Sequence, residues 1–177
     1  MQQFGVVPSQ DEIDLFFQRY DKDRDGKLRY AEFCEIFVPL DGQYAQIINA
    51  RNPIHRSDLY GPIRPQELFM PLTLLDLKET LRTHFRVEML AEELRQRIEA
   101  NPFFSLATAF QVCDLDGNGE VTRQEIMQLC QSRGLFISDK DAVSIMDKFD
   151  KHKRGAITKN EFVQEMVPKS PNKRLFQ

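Results

Sequence analysis

Two twelve-residue stretches constrain this chain more than any other feature. In each, oxygen-bearing side chains alternate up to a glycine and a glutamate closes the twelfth place. One reads Asp21-Lys22-Asp23-Arg24-Asp25-Gly26-Lys27-Leu28-Arg29-Tyr30-Ala31-Glu32, and the other Asp114-Leu115-Asp116-Gly117-Asn118-Gly119-Glu120-Val121-Thr122-Arg123-Gln124-Glu125. Both satisfy D-x-[DN]-x-[DN]-G-x₅-E at every specified place. Alternation lets a loop coiled around a point aim three side-chain oxygens inward. The glycine permits a sharp turn that a Cβ would obstruct. Such an oxygen set suits calcium, a hard cation that takes about six to eight ligands at about 2.3–2.6 Å. The first loop offers Asp21, Asp23, Asp25, the backbone carbonyl of Lys27 and both oxygens of Glu32. The second offers Asp114, Asp116, Asn118, the carbonyl of Glu120 and Glu125. Thr122 can hold a bridging water at the ninth place, whereas Arg29 there can accept nothing.

Clusters of Asp, Asn and Gly are often no more than turns. A turn, however, does not require glutamate at the twelfth place or an aliphatic residue at the eighth, here Leu28 and Val121. Nor does it require apolar residues at helical spacing on both flanks. Ile13, Phe16, Phe17 and Tyr20 lead into the first loop, and Phe33, Ile36 and Phe37 lead out. Leu106, Phe110 and Cys113 enter the second, and Ile126, Leu129 and Cys130 leave it.

Two degenerate copies follow at a similar interval. Asp150 to Glu161 keeps Gly155 sixth, Ile157 eighth and Glu161 twelfth, but His152 and Arg154 replace the oxygens of the third and fifth places. That loop is expected to be structural and metal-free, with Ile157 pairing against Val121. Arg56 to Glu67 keeps Gly61, Ile63 and Glu67, but Arg56 replaces the first aspartate and Pro62 and Pro65 interrupt it. It reads equally as a degenerate copy or as a proline-rich connector, and neither should bind a cation.

Between the two pairs lies extra chain with helical character from Thr73 to Ala100. Thr73 is a plausible N-cap. Leu74, Leu77, Leu81 and Phe85 form one apolar stripe, and Val87, Leu90, Leu94 and Ile98 another. The break between them implies one bent helix or two stacked ones. Glu92, Glu93, Arg95 and Arg97 read as its solvated face. Because both stripes need cover, the segment is expected to fold back on the chain or to dock a neighbour. Asn101-Pro102 ends it, and Phe103-Phe104 begins the next entering helix.

These loops resemble the EF-hand, strongly over 11–40 and 103–167 and weakly over 41–101. The family resembled is that of calmodulin, troponin C and centrin. The resemblance implies an all-α fold: EF-hand helix-loop-helix pairs in two lobes joined by an inserted helical segment. The boundaries expected are an N-terminal lobe over 1–70, the helical segment over 71–101, a C-terminal pair over 102–168 and a basic tail over 169–177. Two Ca²⁺ sites are expected. Phe37-Val38-Pro39-Leu40-Asp41 with Tyr44-Ala45, then Leu94-Arg95-Gln96-Arg97-Ile98, then Val167-Pro168-Lys169-Ser170-Pro171 are similar to EF-hand proteins of protist cilia and flagella. That likeness implies a calcium-responsive or calcium-stabilised subunit of an axonemal or microtubule-associated assembly, in the cytoplasm or the cilium. The alternative is a soluble calmodulin-like sensor acting on a target enzyme.

Composition narrows the field further. Twenty-seven acids against 24 bases leave a net charge of −3. That is too balanced for a nucleic-acid binder, which needs a basic face, and too balanced for a strongly acidic calcium buffer. No apolar run reaches the roughly 18 residues that a membrane helix requires. The N-terminus lacks the pattern of a secretory signal. Cys34, Cys113 and Cys130 form no CxxC pair, which points to a reducing compartment. His55, His84 and His152 lie far apart, and no nucleophile elbow or phosphate loop occurs, so no enzyme is expected. Ser170-Pro171 with Lys173 suits a proline-directed kinase, although a solvated, unmodified tail is the favoured reading of so short a pattern.

Overall fold

The computed structural model describes residues 5–52 and 68–170. The degenerate copy at 56–67, His55 and the tail from Pro171 onward lie outside the described residues. The chain divides into two units, one of residues 1–93 with 169–171 and one of residues 94–168 with 172–177.

In the first unit, α1 spans Gln10–Tyr20 and α2 spans Tyr30–Phe37. Ser9 opens α1 through a capping box in which its hydroxyl oxygen accepts from the Glu12 N–H at 3.3 Å and its own N–H donates to the Glu12 carboxylate at 2.7 Å. This reciprocal arrangement satisfies donors that the first helical turn leaves without partners. Helix α3, Gly42–Asn49, is capped by Asp41, which accepts from the N–H groups of Gln43 and Tyr44. Helix α4 runs Pro71–Glu99. The core of this unit gathers Val6, Phe16, Tyr20, Ile36, Leu81 and Phe85. The Phe16 ring lies 4.6 Å from that of Phe85 and 4.8 Å from that of Tyr20. His84 links both helices of the first hand to α4. Its Nδ1 meets the Tyr20 hydroxyl at 2.5 Å, and its Nε2 meets the Ile36 carbonyl at 3.1 Å. A carbonyl can only accept, so Nε2 carries the hydrogen, and the neutral ring accepts from Tyr20 through Nδ1. Burial favours that neutral form and lowers the pKa of His84.

Helix α4 departs from expectation in two ways, its start and the partition of its faces. It begins at Pro71, two residues before Thr73, because proline at a helix start forfeits no bond. It is one helical element, the first of the two forms expected. Its faces are also partitioned differently. Leu81 and Phe85 of the first stripe are buried, but Val87, Leu90 and Leu94 of the second are exposed. Glu92 and Arg95, read as solvated, are only 3% and 5% exposed. A buried charge is tolerable when hydrogen-bonding partners replace water, and each of these has found them. The Glu92 carboxylate accepts from the N–H groups of Lys169 and Ser170. Arg95 donates from Nε to the Glu165 carbonyl at 2.7 Å and from Nη2 to the Glu165 carboxylate at 3.0 Å. Glu93 and Arg97 are exposed, as expected.

In the second unit, α5 spans Leu106–Cys113, α6 Arg123–Ser132, α7 Asp139–Phe149 and α8 Lys159–Met166. Helix α5 starts at Leu106, with Ser105 as its cap, not at Phe103, which is exposed. Strands β1, Glu120–Thr122, and β2, Ala156–Thr158, pair antiparallel with Val121 opposite Ile157, the register expected of paired loops. Both residues are 2% exposed, in a core with Phe110, Ile126, Met146 and Phe162. The described residues therefore form an all-α fold with one small ladder, in agreement with the sequence.

Candidate metal centres

Three loops share one frame. The first aspartate accepts from the N–H of the sixth-place glycine in each: Asp21 from Gly26 at 2.8 Å, Asp114 from Gly119 at 2.9 Å and Asp150 from Gly155 at 2.7 Å. The three glycines have φ of 78°, 88° and 85°, a region that other residues enter only with strain. The twelfth-place glutamate opens the exiting helix and reaches back across the loop. Glu32 accepts from the N–H groups of Lys22 and Arg29 at 2.7 and 2.8 Å. Glu125 accepts from those of Leu115 and Thr122 at 2.9 and 2.8 Å.

Two acidic clusters result. Oxygens of Asp21, Asp23 and Glu32 lie within 4.8 Å of one another, and so do those of Asp114, Asp116 and Glu125. Three carboxylates this close repel one another, and Glu32 and Glu125 are buried. The donor set therefore fits a divalent cation bound by oxygen. Burial pushes the Glu125 carboxyl up. The N–H groups of Thr122, Leu115 and Asp116 together with the Thr122 hydroxyl outweigh burial and hold it below the usual carboxylate range.

The remaining ligand candidates stand on the same loops. Asn118 accepts from the Glu120 N–H at 2.8 Å and donates to Asp116 at 2.9 Å. Lys27 and Glu120 occupy the seventh place, where the backbone carbonyl is the donor; Glu120 also opens β1. Asp25 is not part of the first cluster. Its Oδ1 accepts from the Lys27 N–H at 2.9 Å, and its Oδ2 pairs with Arg29 Nη2 at 3.1 Å. Arg29 Nη1 also meets Asp23 at 3.1 Å. Sequence reasoning treated Arg29 only as a residue that cannot accept. It missed that the guanidinium engages two ligand candidates, although the i,i+4 spacing from Asp25 was a signal.

In the loop at 150–161 the protein supplies its own cation, Arg154, and a second partner, His152. Glu161, 3% exposed, meets His152 Nδ1 at 2.8 Å through one oxygen and Arg154 Nη2 at 2.8 Å through the other. The Thr158 N–H and hydroxyl donate to it at 2.9 and 2.6 Å. Burial opposes ionisation here, yet the Thr158 and His152 hydrogen bonds and the Arg154 charge hold the carboxyl at about 2. The side chains that spoil chelation thus hold the loop in the frame it shares with the other two.

Family models match the chain as an EF-hand domain pair over residues 103–167 and as an EF hand over residues 13–36. The chain is similar to Calmodulin-like protein 3 of Arabidopsis thaliana, 37% identical over 57 residues, which cover 32% of this chain and 37% of that protein. It spans little more than a third of that relative's length. It is also similar to Probable calcium-binding protein CML23 of the same plant, 24% identical over 92% of each chain. A third relative, the Myosin regulatory light chain of Physarum polycephalum, is 25% identical over 92% of this chain and 96% of that one.

Proposed function

The chain belongs to the EF-hand superfamily and is calmodulin-like in its calcium-binding hands, and from that premise we propose that it binds two calcium ions and acts through a protein partner rather than by catalysis. The carrying observation is the pair of acidic clusters, each convergent within 4.8 Å on an EF-hand loop. Asp21, Asp23, Asp25, the Lys27 carbonyl and Glu32 would hold one ion. Asp114, Asp116, Asn118, the Glu120 carbonyl and Glu125 would hold the other. The loop at 150–161, with Glu161 already neutralised, serves as the structural partner of the second site.

Calcium here stabilises a subunit more than it opens a groove. The apolar side of the first hand already contains Leu81 and Phe85 of α4, and His84 bonds to both α1 and α2. This supports the folded-back reading of α4 within the first unit. A calcium-stabilised component of a larger protein assembly follows, and the calmodulin-like and light-chain relatives favour protein partners. Placement in an axonemal or microtubule-bound assembly, and in the cytoplasm or cilium, rests on the three sequence segments alone. The second reading, a calmodulin-like sensor of a target enzyme, draws on the same relatives.

Calorimetry tests the sites: two ions per chain are expected, one fewer after Glu32→Gln and one fewer after Glu125→Gln, because each change removes the charged bidentate ligand. Four sites, or none, would refute the assignment. Hydrogen exchange across residues 74–98 separates the two readings. Protection with and without calcium supports the subunit, and protection lost on adding calcium supports the sensor.

A further inference from the structure

We infer that Ser170 is a phosphorylation site and that its modification opens a clip holding the C-terminal segment on α4. The clip centres on Glu92, buried in the helix at 3% exposure. Its carboxylate accepts from the Lys169 N–H at 2.9 and 3.0 Å, from the Ser170 N–H at 2.9 Å and from the Ser170 hydroxyl at 2.9 Å. Gln18 of α1 adds a hydrogen bond from Nε2 to the Lys169 carbonyl at 3.3 Å. Two successive backbone N–H groups and one hydroxyl thus converge on one buried anion. The arrangement depends on the segment carrying donors and no negative charge.

The sequence around Ser170 matches what a proline-directed kinase reads. Pro171 follows directly, Lys173 stands three residues on, and the last ten residues contain Lys169, Lys173 and Arg174 but no acid. Ser170 itself is half-buried. Freeing it requires release of the Lys169 and Ser170 contacts with Glu92 and Gln18, and no helix has to unfold. In the transfer, Ser170 Oγ forms a bond to the γ-phosphorus of a nucleoside triphosphate. The bond from that phosphorus to the β,γ-bridging oxygen breaks, the nucleoside diphosphate leaves, and the hydroxyl proton passes to a base on the kinase.

The product cannot re-form the clip. The hydroxyl that donated to Glu92 becomes a phosphate ester carrying roughly −1.5 to −2 charges and only acceptor oxygens. Placed against a buried carboxylate, it replaces an attractive contact with repulsion between two anions. Residues 169–170 are then expelled from α4 and α1.

The test uses the full chain, a purified proline-directed kinase and magnesium ATP. Peptide mass spectrometry should place one phosphate on Ser170 and none on that site in Ser170→Ala. Hydrogen exchange at the Lys169 and Ser170 amides should accelerate at least about tenfold on phosphorylation, while the Val121 and Ile157 amides remain protected and report an intact fold. Glu92→Gln, which weakens the clip without touching the kinase motif, should raise the rate of phosphate incorporation severalfold. Failure of Ser170 to take phosphate, unchanged exchange at 169–170 after modification, or equal rates for Glu92→Gln and the unsubstituted chain would each overturn the proposal.

Discussion

Glu161→Gln is the sharpest probe of the self-locked loop. The substitution keeps the shape of the side chain but removes its charge. His152 and Arg154 then lose their anion, and a carboxamide offers one acceptor oxygen where the carboxylate offered two. A carboxyl held at about 2 in the folded chain against about 4.3 in an unfolded one corresponds to an upper bound of about 3 kcal/mol. The partners are wet: the His152 and Arg154 side chains are 72% and 46% exposed. Solvent screening reduces the expected loss to about 1–2 kcal/mol. Because the folded-state value is depressed, the contribution is complete above the unfolded value. It disappears as pH falls from about 4.5 towards 2. Urea unfolding of both proteins in chelator, at pH 7 and at pH 3, measures it free of calcium. A loss below about 0.5 kcal/mol at pH 7, or one that is the same size at pH 3, would refute the lock.

Three further outcomes follow from the geometry. Ile157→Gly should weaken calcium binding at 114–125 severalfold although it touches no ligand, because Val121 loses its partner across the ladder; calorimetry with unchanged affinity would count against coupling through β1 and β2. Arg29→Gln should tighten binding in the first loop by about two- to tenfold, since the guanidinium occupies Asp23 and Asp25, and the gain should shrink as added salt screens the competitor. Measured in a Glu125→Gln background, equal affinity at every salt concentration would exclude that competition. Leu81→Ala should destabilise the first unit by about 2–5 kcal/mol through the cavity left beside Phe16 and Phe85; a change within error in thermal unfolding would show that α4 does not belong to that core.

The alternating acids, the glycines and the twelfth-place glutamates were legible because loop chemistry is local. All the groups that make one loop lie within twelve residues, so residue type and spacing state nearly the whole geometry. The Val121–Ile157 register was legible for a related reason: two copies of one frame pair through the same eighth place. The loss of ligands at His152 and Arg154 was equally plain, though not that those two side chains would bind Glu161.

Helix α4 was decided by tertiary structure. Period alone marked Val87, Leu90 and Leu94 for burial and Glu92 and Arg95 for water, and the fold reverses both assignments. The reason is distance along the chain. A charged side chain reads as solvated until partners arrive to replace water, and those partners lie about 70 or more residues away: Glu165 for Arg95, and Lys169 and Ser170 for Glu92. His84 is the same case, an isolated histidine in sequence whose two ring nitrogens find Tyr20 and Ile36 only after α4 has packed against α1 and α2. Residue spacing therefore carried the loop geometry and its acidic clusters, whereas burial of the polar helix face depended on contacts that only the folded chain brings together.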